Sequence, residues 1–198
     1  MSVVIIELGC ANTASVLFAL QRLGANPILS SDPAIIAKAE RLILPGVGAA
    51  GFVMARIHEL GLYDIIKRFK RPLLGVCLGQ QLLFEASDEG DVACLGLIPG
   101  RVTKIIGDPD LVVPHMGWNQ LSHILSDPLT EGLNTGDYAY FVHSYACPVN
   151  EFSLAQSHYG APFAAMVRKD NIWGAQFHPE RSSHMGALIL KHFLEVQA

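Results

Sequence analysis

Four short apolar runs in the first part of the chain, each followed by a stretch of helical character, most constrain its fold. The apolar runs cover residues 3–6, 27–29, 41–44 and 73–76. Helix signals accompany them, such as Asp32-Pro33 at a helix start and Gly24 at a helix end. Such alternation favours parallel strands joined by right-handed helical crossovers. The sequence therefore predicts an α/β fold on an open, mostly parallel, doubly wound sheet.

The second half has a different pattern, in which apolar runs are joined by short turns. Strands are predicted at residues 95–98, 101–105, 138–145, 152–156, 163–167 and 172–177. Asp170-Asn171 is typical of a hairpin turn between the last two. We expect these strands to be antiparallel additions at the sheet edge, followed by a helix over residues 182–196. Because no linker or repeat interrupts the pattern, we expect one domain over residues 1–198 and no second domain after it.

Composition argues against several classes of protein. Apolar residues make up 51% of the chain and charged residues 16%, which is too apolar for a disordered protein. The net charge of −4 and the lack of a basic block argue against a nucleic acid or an anionic membrane as partner. The N-terminus has no signal-peptide pattern, and no apolar run has the length of a transmembrane helix. Four scattered cysteines without a Cys-x-x-Cys pair indicate reduced thiols in a cytosolic protein.

Residues 73–81, Leu-Leu-Gly-Val-Cys-Leu-Gly-Gln-Gln, join the fourth apolar run to an amphipathic stretch. Gly75 and Gly79 lie on either side of Cys77, so a strand can turn sharply into a helix at the cysteine. The similar pattern Gly-x-Ser-x-Gly exposes the nucleophile of many hydrolases at such a turn. The pattern favours Cys77 as a nucleophile. The alternative is a buried structural cysteine beside two packing glycines.

A cysteine nucleophile needs a base, and the base needs an orienting group. His178-Pro179-Glu180 follows the last apolar run, and the proline holds His178 in an extended conformation. In an extended segment the side chains of His178 and Glu180 point the same way. Because the carboxyl ends of parallel strands meet at one edge of a sheet, we expect His178 to lie beside Cys77 there. The alternative is a polar strand exit.

Acyl chemistry also needs hydrogen-bond donors for an oxyanion. The backbone N–H of Leu78, at the helix start, is one candidate. Gly46, Val47 and Gly48 are the others, because glycines after the third apolar run allow positive φ and close backbone approach. The alternatives are an ordinary glycine-rich turn and a phosphate loop, although the Gly-Lys-Ser/Thr of a phosphate loop is missing.

The other histidines are weaker candidates for catalysis. His143 lies in an aromatic run and is predicted to be structural or close to the substrate, and His115 lies in a loop-like run. No grouping of His, Cys, Asp and Glu has the spacing of metal ligands, so the sequence predicts no metal and no cofactor.

Together, these motifs resemble those of the class I (triad) glutamine amidotransferases, which release ammonia from L-glutamine. The resemblance rests on residues 75–81 and on His178-Pro179-Glu180, about 100 residues later. Pro-Gly-Val-Gly at residues 45–48, Pro-His-Met-Gly-Trp-Asn at 114–119 and Tyr-Phe-Val-His-Ser-Tyr at 140–145 are similar to the members that serve histidine biosynthesis. The resemblance covers essentially the full chain and implies a flavodoxin-like sheet.

The resemblance implies roles for single residues. The catalytic triad would be Cys77, His178 and Glu180. Gln81 matches the family's substrate-binding glutamine, and backbone groups of Ser144 and Tyr145 would hold the substrate carboxylate. Glu89 is the first candidate for contacting the substrate ammonium, and Glu85 is the second.

The resemblance also implies a partner, because we expect no second domain in this chain to use the ammonia. In the members it resembles, a (β/α)8-barrel cyclase subunit receives the ammonia through an internal channel and combines it with a phosphoribulosyl nucleotide. Asn12, Trp118, Tyr140 and Arg181 match family positions near the subunit interface. Each of the four has an alternative as a surface or packing residue.

Three positions depart from the family pattern. Gln80 replaces the usual methionine behind the turn at Cys77, Arg181 replaces the lysine of many members, and Glu7 replaces an aspartate or a smaller residue. The expected reaction is unchanged, because Gln81 keeps its place and Arg181 keeps the positive charge.

Three other hypotheses stay open at this point. The first is an amidotransferase subunit of another pathway, such as anthranilate or aminodeoxychorismate synthesis, against which residues 114–119 argue. The second is a non-catalytic subunit on the same fold, against which the complete triad argues. The third is a stand-alone cysteine hydrolase of γ-glutamyl compounds, which would be active without a partner.

Overall fold

The computed structural model describes residues 2–9, 13–46, 48–107, 109 and 111–197. Within them, the helices are α1 (Thr13–Arg22), α2 (Pro33–Lys38), α3 (Ala50–Glu59), α4 (Tyr63–Lys67), α5 (Leu78–Leu82) and α6 (Ser183–Glu195). The first strands are β1 (Val3–Ile6), β2 (Ile28–Ser30), β3 (Arg41–Gly46), β4 (Leu73–Cys77), β5 (Ala86–Ser87), β6 (Val92–Ala93) and β7 (Arg101–Lys104). The later strands are β8 (His115–Gln120), β9 (Tyr138–His143), β10 (Tyr145–Ala146), β11 (Ser153–Tyr159), β12 (Ala161–Lys169) and β13 (Ile172–Ala175).

The central sheet has seven strands in the order β11-β12-β13-β4-β3-β1-β2. The five strands from β13 to β2 are parallel, whereas β11 and β12 continue the sheet antiparallel beside β13. The predicted α/β fold with a mostly parallel sheet and antiparallel additions is therefore confirmed. The strand order places the carboxyl ends of β3, β4 and β13 side by side, which is where ligands bind in sheets of this type.

Helices cover both faces of the sheet, because alternate residues of the parallel strands point to opposite sides. Val4 and Leu42 pack in one buried cluster with α2 to α5. Ile5 and Ile43, their neighbours in sequence, pack in the other with α1 and α6. Among the described residues, no helix has both the length and the apolar character needed to cross a membrane.

Two smaller sheets were not expected from the sequence. One has the strand order β10-β7-β5-β6, and the other is the two-stranded hairpin β8-β9. The run at residues 138–145 therefore splits at Ser144 into two strands that both lie outside the central sheet. The expectation that this run and residues 101–105 extend the central sheet is wrong. Residues 114–119, described above as loop-like, contain most of β8.

The strand predicted at residues 95–98 is also wrong. The backbone N–H groups of these residues donate to the carbonyls of Leu82, Leu83 and Phe84 at distances of 2.8 to 3.0 Å. Those carbonyls belong to the last residue of α5 and the two residues after it, where no helical N–H is left to bond them. The segment therefore caps α5, and its apolar side chains fill the core without forming a strand.

Candidate active site

Cys77 lies at a sharp turn between β4 and α5. Its backbone has φ 54° and ψ −113°, a conformation that costs a non-glycine residue about 1–3 kcal/mol. The turn depends on its glycines: a Cβ on Gly79 would lie 1.9 Å from the carbonyl oxygen of Leu44, and one on Gly75 would lie 2.6 Å from the oxygen of Gly79. Because neither neighbour is a side chain that can move aside, both glycines allow α5 to sit directly on the strands. The thiol of Cys77 then faces the carboxyl edge of the sheet.

His178 reaches the same edge because β13 pairs with β4, with Ala175 opposite Val76. Its Nδ1 lies 2.9 Å from Glu180 Oε1, and the two side chains are 13% and 5% exposed. The local backbone differs from the expectation in one respect. His178 is extended, but Glu180 lies in a 3-10 turn, Pro179–Arg181. The turn, and not the alternation of an extended strand, brings the carboxylate to the imidazole.

The environment of His178 favours its protonated form. Burial lowers the pKa of the imidazole, but hydrogen bonds with Cys77 and Glu180, and the negative charges of these partners, outweigh burial and raise the pKa to about 10. Because Nδ1 is taken by Glu180, Nε2 is the nitrogen that can serve Cys77. A cysteine sulfur whose proton is held by an oriented imidazole is an arrangement for nucleophilic attack followed by proton donation.

We expect the His178 ring to remain protonated at pH 7.5 and to lose its proton only as the pH rises through about 10. Since free histidine titrates near 6.5, the raised pKa keeps the charge across the neutral range. Cys77→Ala removes one of the two partners that raise the pKa, so the midpoint should fall. Ring nitrogen NMR shifts measured against pH test this prediction. A wild-type midpoint near 6.5, or one unchanged in Cys77→Ala, would contradict it.

Cys77 and His178 open into a cavity of about 320 Å³. Of the residues proposed from the sequence, the cavity is also lined by Gly48, Leu78, Gln81, Glu89, Ser144 and Tyr145. Two further lining residues, Pro114 and Val142, were not among the sequence candidates for the substrate site. His143, predicted to be either structural or close to the substrate, also lines the cavity, and its position fits both roles. The volume suits a ligand of amino-acid size.

Gln81 and Glu89 present complementary groups to this cavity. Gln81 Nε2 donates to the carbonyl of Tyr145 at 2.9 Å and to Gln176 Oε1 at 3.0 Å. Both amide hydrogens are thereby used, so the amide oxygen is what Gln81 can offer to a ligand. Glu89 Oε2 accepts from Ala50 N–H at 2.7 Å, which fixes the carboxylate. Glu85, the second candidate, instead accepts from Gly100 N–H and is not part of the cavity lining.

The candidate oxyanion donors come from the adjacent strand and helix. Gly46 pairs with Cys77 across β3 and β4, and a Cβ on it would lie 2.8 Å from Leu78 Cβ. Leu78 is the first residue of α5, so its N–H is one of the unpaired donors at a helix start. Gly48 has φ 97° and lines the cavity. Val47 lies outside the described residues.

The candidate partner residues lie on and beside the β8-β9 hairpin. Trp118 is 52% exposed and pairs across the strands with Tyr140, with ring centroids 5.9 Å apart. Met116 and Tyr138 on the same face are also exposed. Arg181 is exposed in the turn after His178. Trp118, Tyr138 and Tyr140 form an aromatic surface on the face of the hairpin that also carries Val142, a residue of the cavity lining. Asn12 lies outside the described residues.

In the described part of the chain, no group of three or more His, Cys, Asp or Glu residues is placed to hold a metal ion. The groups that line the cavity are instead those of covalent acyl chemistry: a thiol, an imidazole and backbone N–H donors.

Comparisons with known proteins agree with this chemistry. The family model "Glutamine amidotransferase class-I" matches residues 4–196. The imidazole glycerol phosphate synthase subunit HisH of Yersinia pseudotuberculosis is 47% identical over 197 residues, covering 99% of this chain and 100% of the relative. The subunit of the same name from Xylella fastidiosa (strain Temecula1) is 50% identical over 196 residues, covering 99% and 98%.

Solved structures show the same fold at low sequence identity. A crystal structure of a glutamine amidotransferase superimposes with a TM-score of 0.75 at 20% identity, covering 97% of each chain. A GMP synthase protein from Thermoplasma acidophilum gives 0.74 at 18% identity, covering 98% of this chain and 92% of that one.

Proposed function

Because this chain belongs to the class I glutamine amidotransferase family, we propose that it is the glutaminase subunit of an imidazole glycerol phosphate synthase and acts in L-histidine biosynthesis. It would hydrolyse L-glutamine to glutamate and ammonia and pass the ammonia to a second subunit. The observation that carries the proposal is the placement of Cys77 beside the His178–Glu180 pair, in a cavity that Gln81 also lines. The curated relatives of nearly equal length carry this subunit name.

The first half of the reaction releases ammonia. The Cys77 sulfur, its proton held by His178, forms a bond to the side-chain carbonyl carbon of glutamine. The developing oxyanion is held by the N–H of Leu78 and by backbone of the Gly46 to Gly48 segment. His178 Nε2 then gives its proton to the amide nitrogen, the C–N bond breaks, and ammonia leaves. The product on the enzyme is a γ-glutamyl thioester.

The second half restores the thiol. Neutral His178 takes a proton from water, and the oxygen forms a bond to the thioester carbon. The C–S bond then breaks, glutamate leaves, and the proton on His178 again neutralises the Cys77 sulfur. Glu180 holds the imidazole in the same orientation through both steps, so one side chain serves as acid and then as base.

Substrate placement follows from the groups that face the cavity. The Gln81 amide oxygen and the Glu89 carboxylate can accept hydrogen bonds from the substrate ammonium. Backbone groups of Ser144 and Tyr145, which line the same cavity, would hold the substrate carboxylate. A glutamine held at both α-groups would extend its side-chain amide towards Cys77.

We propose that the partner is a (β/α)8-barrel cyclase subunit, that the pair is a cytoplasmic heterodimer with lyase activity, and that ammonia passes between them internally. The exposed Trp118 and the half-buried Tyr140, with Arg181 in the turn after His178, offer the partner a surface on the hairpin. Asn12 is proposed for the same interface. Enrichment in aromatic residues and arginine is typical of the energetically important parts of protein interfaces.

The test is a glutaminase assay of the purified chain, alone and in the presence of the cyclase partner with its nucleotide ligand. We expect little glutamate release from the chain alone and at least about a hundredfold stimulation in the complex, because a site serving a partner should release ammonia only when the partner can use it. Full activity without the partner would favour a stand-alone hydrolase. Stimulation by a chorismate-using partner instead would place the chain in another pathway.

A further inference from the structure

A chain of hydrogen bonds crosses the inner face of the β8-β9 hairpin and ends at the wall of the cavity. Asn119 Nδ2 lies 3.3 Å from His115 Nε2. His115 Nδ1 lies 2.9 Å from His143 Nε2. His143 Nδ1 lies 2.8 Å from the carbonyl oxygen of Tyr145. Asn119, His115 and His143 all belong to the hairpin, and none of them is part of the triad.

Which nitrogen donates in each of these hydrogen bonds can be derived from the end at Tyr145. The Tyr145 oxygen can only accept, so His143 Nδ1 must carry a hydrogen. In a neutral imidazole the other nitrogen is then an acceptor, so His143 Nε2 accepts from His115 Nδ1–H. His115 Nε2 is left as an acceptor for Asn119.

The other end of the series, at Asn119, independently gives the same order of donors and acceptors. Asn119 Oδ1 accepts from the N–H of Gln120 at 2.8 Å, and Asn119 Nδ2 donates to the carbonyl of His158 at 2.9 Å. The amide orientation is thus set by two backbone partners. Its nitrogen can only donate to His115 Nε2, so His115 must carry its hydrogen on Nδ1. Both ends therefore require the Nδ1–H tautomer of His115 and His143.

The surroundings keep both rings neutral. His115 and His143 are 3% and 5% exposed, and burial lowers the pKa of each to about 4. Aromatic rings pack against them: Tyr159 stacks on His115 with centroids 4.0 Å apart, and Phe163 lies 4.9 Å from His143. The rings therefore have one tautomer and little room to rotate.

The hydrogen-bonded series ends at the carbonyl oxygen of Tyr145, which also accepts a hydrogen bond from Gln81. The Tyr145 carbonyl accepts from His143 and also from Gln81 Nε2 at 2.9 Å. One residue before His143, the carbonyl of Val142 lies 3.8 Å from the Cys77 sulfur. The segment from Val142 to Tyr145 thus touches the nucleophile at one end and Gln81 at the other.

We propose that His115 and His143 are positioning residues for glutamine binding, acting as a neutral relay of fixed tautomer that holds the Tyr145 carbonyl and, through it, the Gln81 amide. The proposal rests on the proposed glutaminase function for its kinetic consequence but not for the relay itself. In the proposed reaction, Gln81 and the Ser144–Tyr145 backbone would contact the substrate in the ground state and in the transition state alike. Losing the relay should therefore raise KM for glutamine more than it lowers kcat.

Three variants test the kinetic consequence in the complex with its partner. His143→Phe keeps the ring volume but removes both hydrogen bonds, and should raise KM for glutamine about tenfold with kcat changed less than about threefold. His143→Asn places an amide N–H where Nδ1–H stood, and should recover most of the loss. Phe163→Leu is the matched control, because it loosens the packing around His143 without touching a hydrogen bond, and KM should stay unchanged.

Ring nitrogen NMR of the isolated wild-type chain tests the relay without substrate or partner. Both His115 and His143 should show a protonated Nδ1 and an unprotonated Nε2 at pH 7.5. A protonated Nε2 on either ring would overturn the proposal, as would equal KM changes in His143→Phe and Phe163→Leu. The NMR measurement of the tautomers does not depend on catalysis. The proposed relay can therefore be disproved while the glutaminase assignment is retained, and the glutaminase assignment can be disproved while the relay is retained. If His143→Phe does not fold, the proposal is still tested by the wild-type tautomers and by KM for glutamine in His143→Asn.

Discussion

Replacing Cys77 by alanine should abolish glutamine-dependent synthesis by the complex and leave synthesis from free ammonium unchanged. Among the described residues, Cys77 is the only cysteine that lines the cavity, so we expect its replacement to prevent formation of the thioester. Loss of a catalytic nucleophile lowers kcat by roughly 10⁴-fold to 10⁶-fold. Ammonium enters the reaction after this step, so the partner's chemistry should be untouched. Parallel assays with glutamine and with ammonium chloride as nitrogen source measure both effects.

Cys94→Ala is the matched control for this experiment. Cys94 is also buried and free, but it packs in the core behind α5, away from the cavity. Burial raises the pKa of its thiol to about 11, so it is a poor nucleophile at neutral pH. Its replacement should keep glutamine-dependent activity. Retention of that activity in Cys77→Ala would remove Cys77 from the mechanism.

Replacing Gly79 by alanine should destabilise the protein and impair the site. The new Cβ would lie 1.9 Å from the carbonyl oxygen of Leu44, which is backbone in the middle of the sheet and cannot move aside alone. Forced shifts of this kind cost about 1–3 kcal/mol of unfolding free energy, and the 1.9 Å contact with rigid backbone places this variant at the upper end. Moving α5 away from β3 would also separate Leu78 N–H from Gly46, so kcat should fall by about a hundredfold in the folded fraction.

Urea denaturation followed by circular dichroism measures the stability change, and single-turnover kinetics of the complex measure the rate. Gly51→Ala is the control, since nothing lies within 4 Å of a Cβ placed there and Gly51 sits inside α3. It should be neutral or stabilising by up to about 1 kcal/mol. Equal stability of the Gly79 and Gly51 variants would show that α5 does not depend on close contact with β3.

Local signals were sufficient to predict most of the first half of the chain. The first four parallel strands lie within a few residues of their predicted places, because alternation of apolar runs and helix signals specifies this architecture strongly. Asp32 caps α2 as its position before proline indicates, and accepts from Ala34 N–H at 2.7 Å. The predictions failed where a residue's partner is distant in sequence. Residues 95–98 have strand-like composition, but their N–H groups donate hydrogen bonds to carbonyls at the end of α5, so they do not pair with a strand.

The same limit applies to the candidate site. Motifs were enough to propose Cys77, His178 and Glu180, since each motif is short and chemically distinctive. Nothing local predicted that Gln176 would take one amide hydrogen of Gln81, or that His115 would bond to His143. Those contacts join residues 95 and 28 positions apart. The first exists because β13 pairs with β4 and lies beside α5, and the second because β8 and β9 pair with His115 opposite His143.

By itself, the sequence determined the alternation of strands and helices, the sharp turn at Cys77 and the chemical groups available for acyl transfer. These are properties of neighbours along the chain, where apolar period, glycine and proline act within a few residues. The tertiary structure decided which groups meet: His178 beside Cys77, Glu89 and not Glu85 in the cavity, and two histidines in a fixed relay behind Gln81. Strand pairing and hairpin packing bring these groups within hydrogen-bonding distance, and no local pattern encodes that distance.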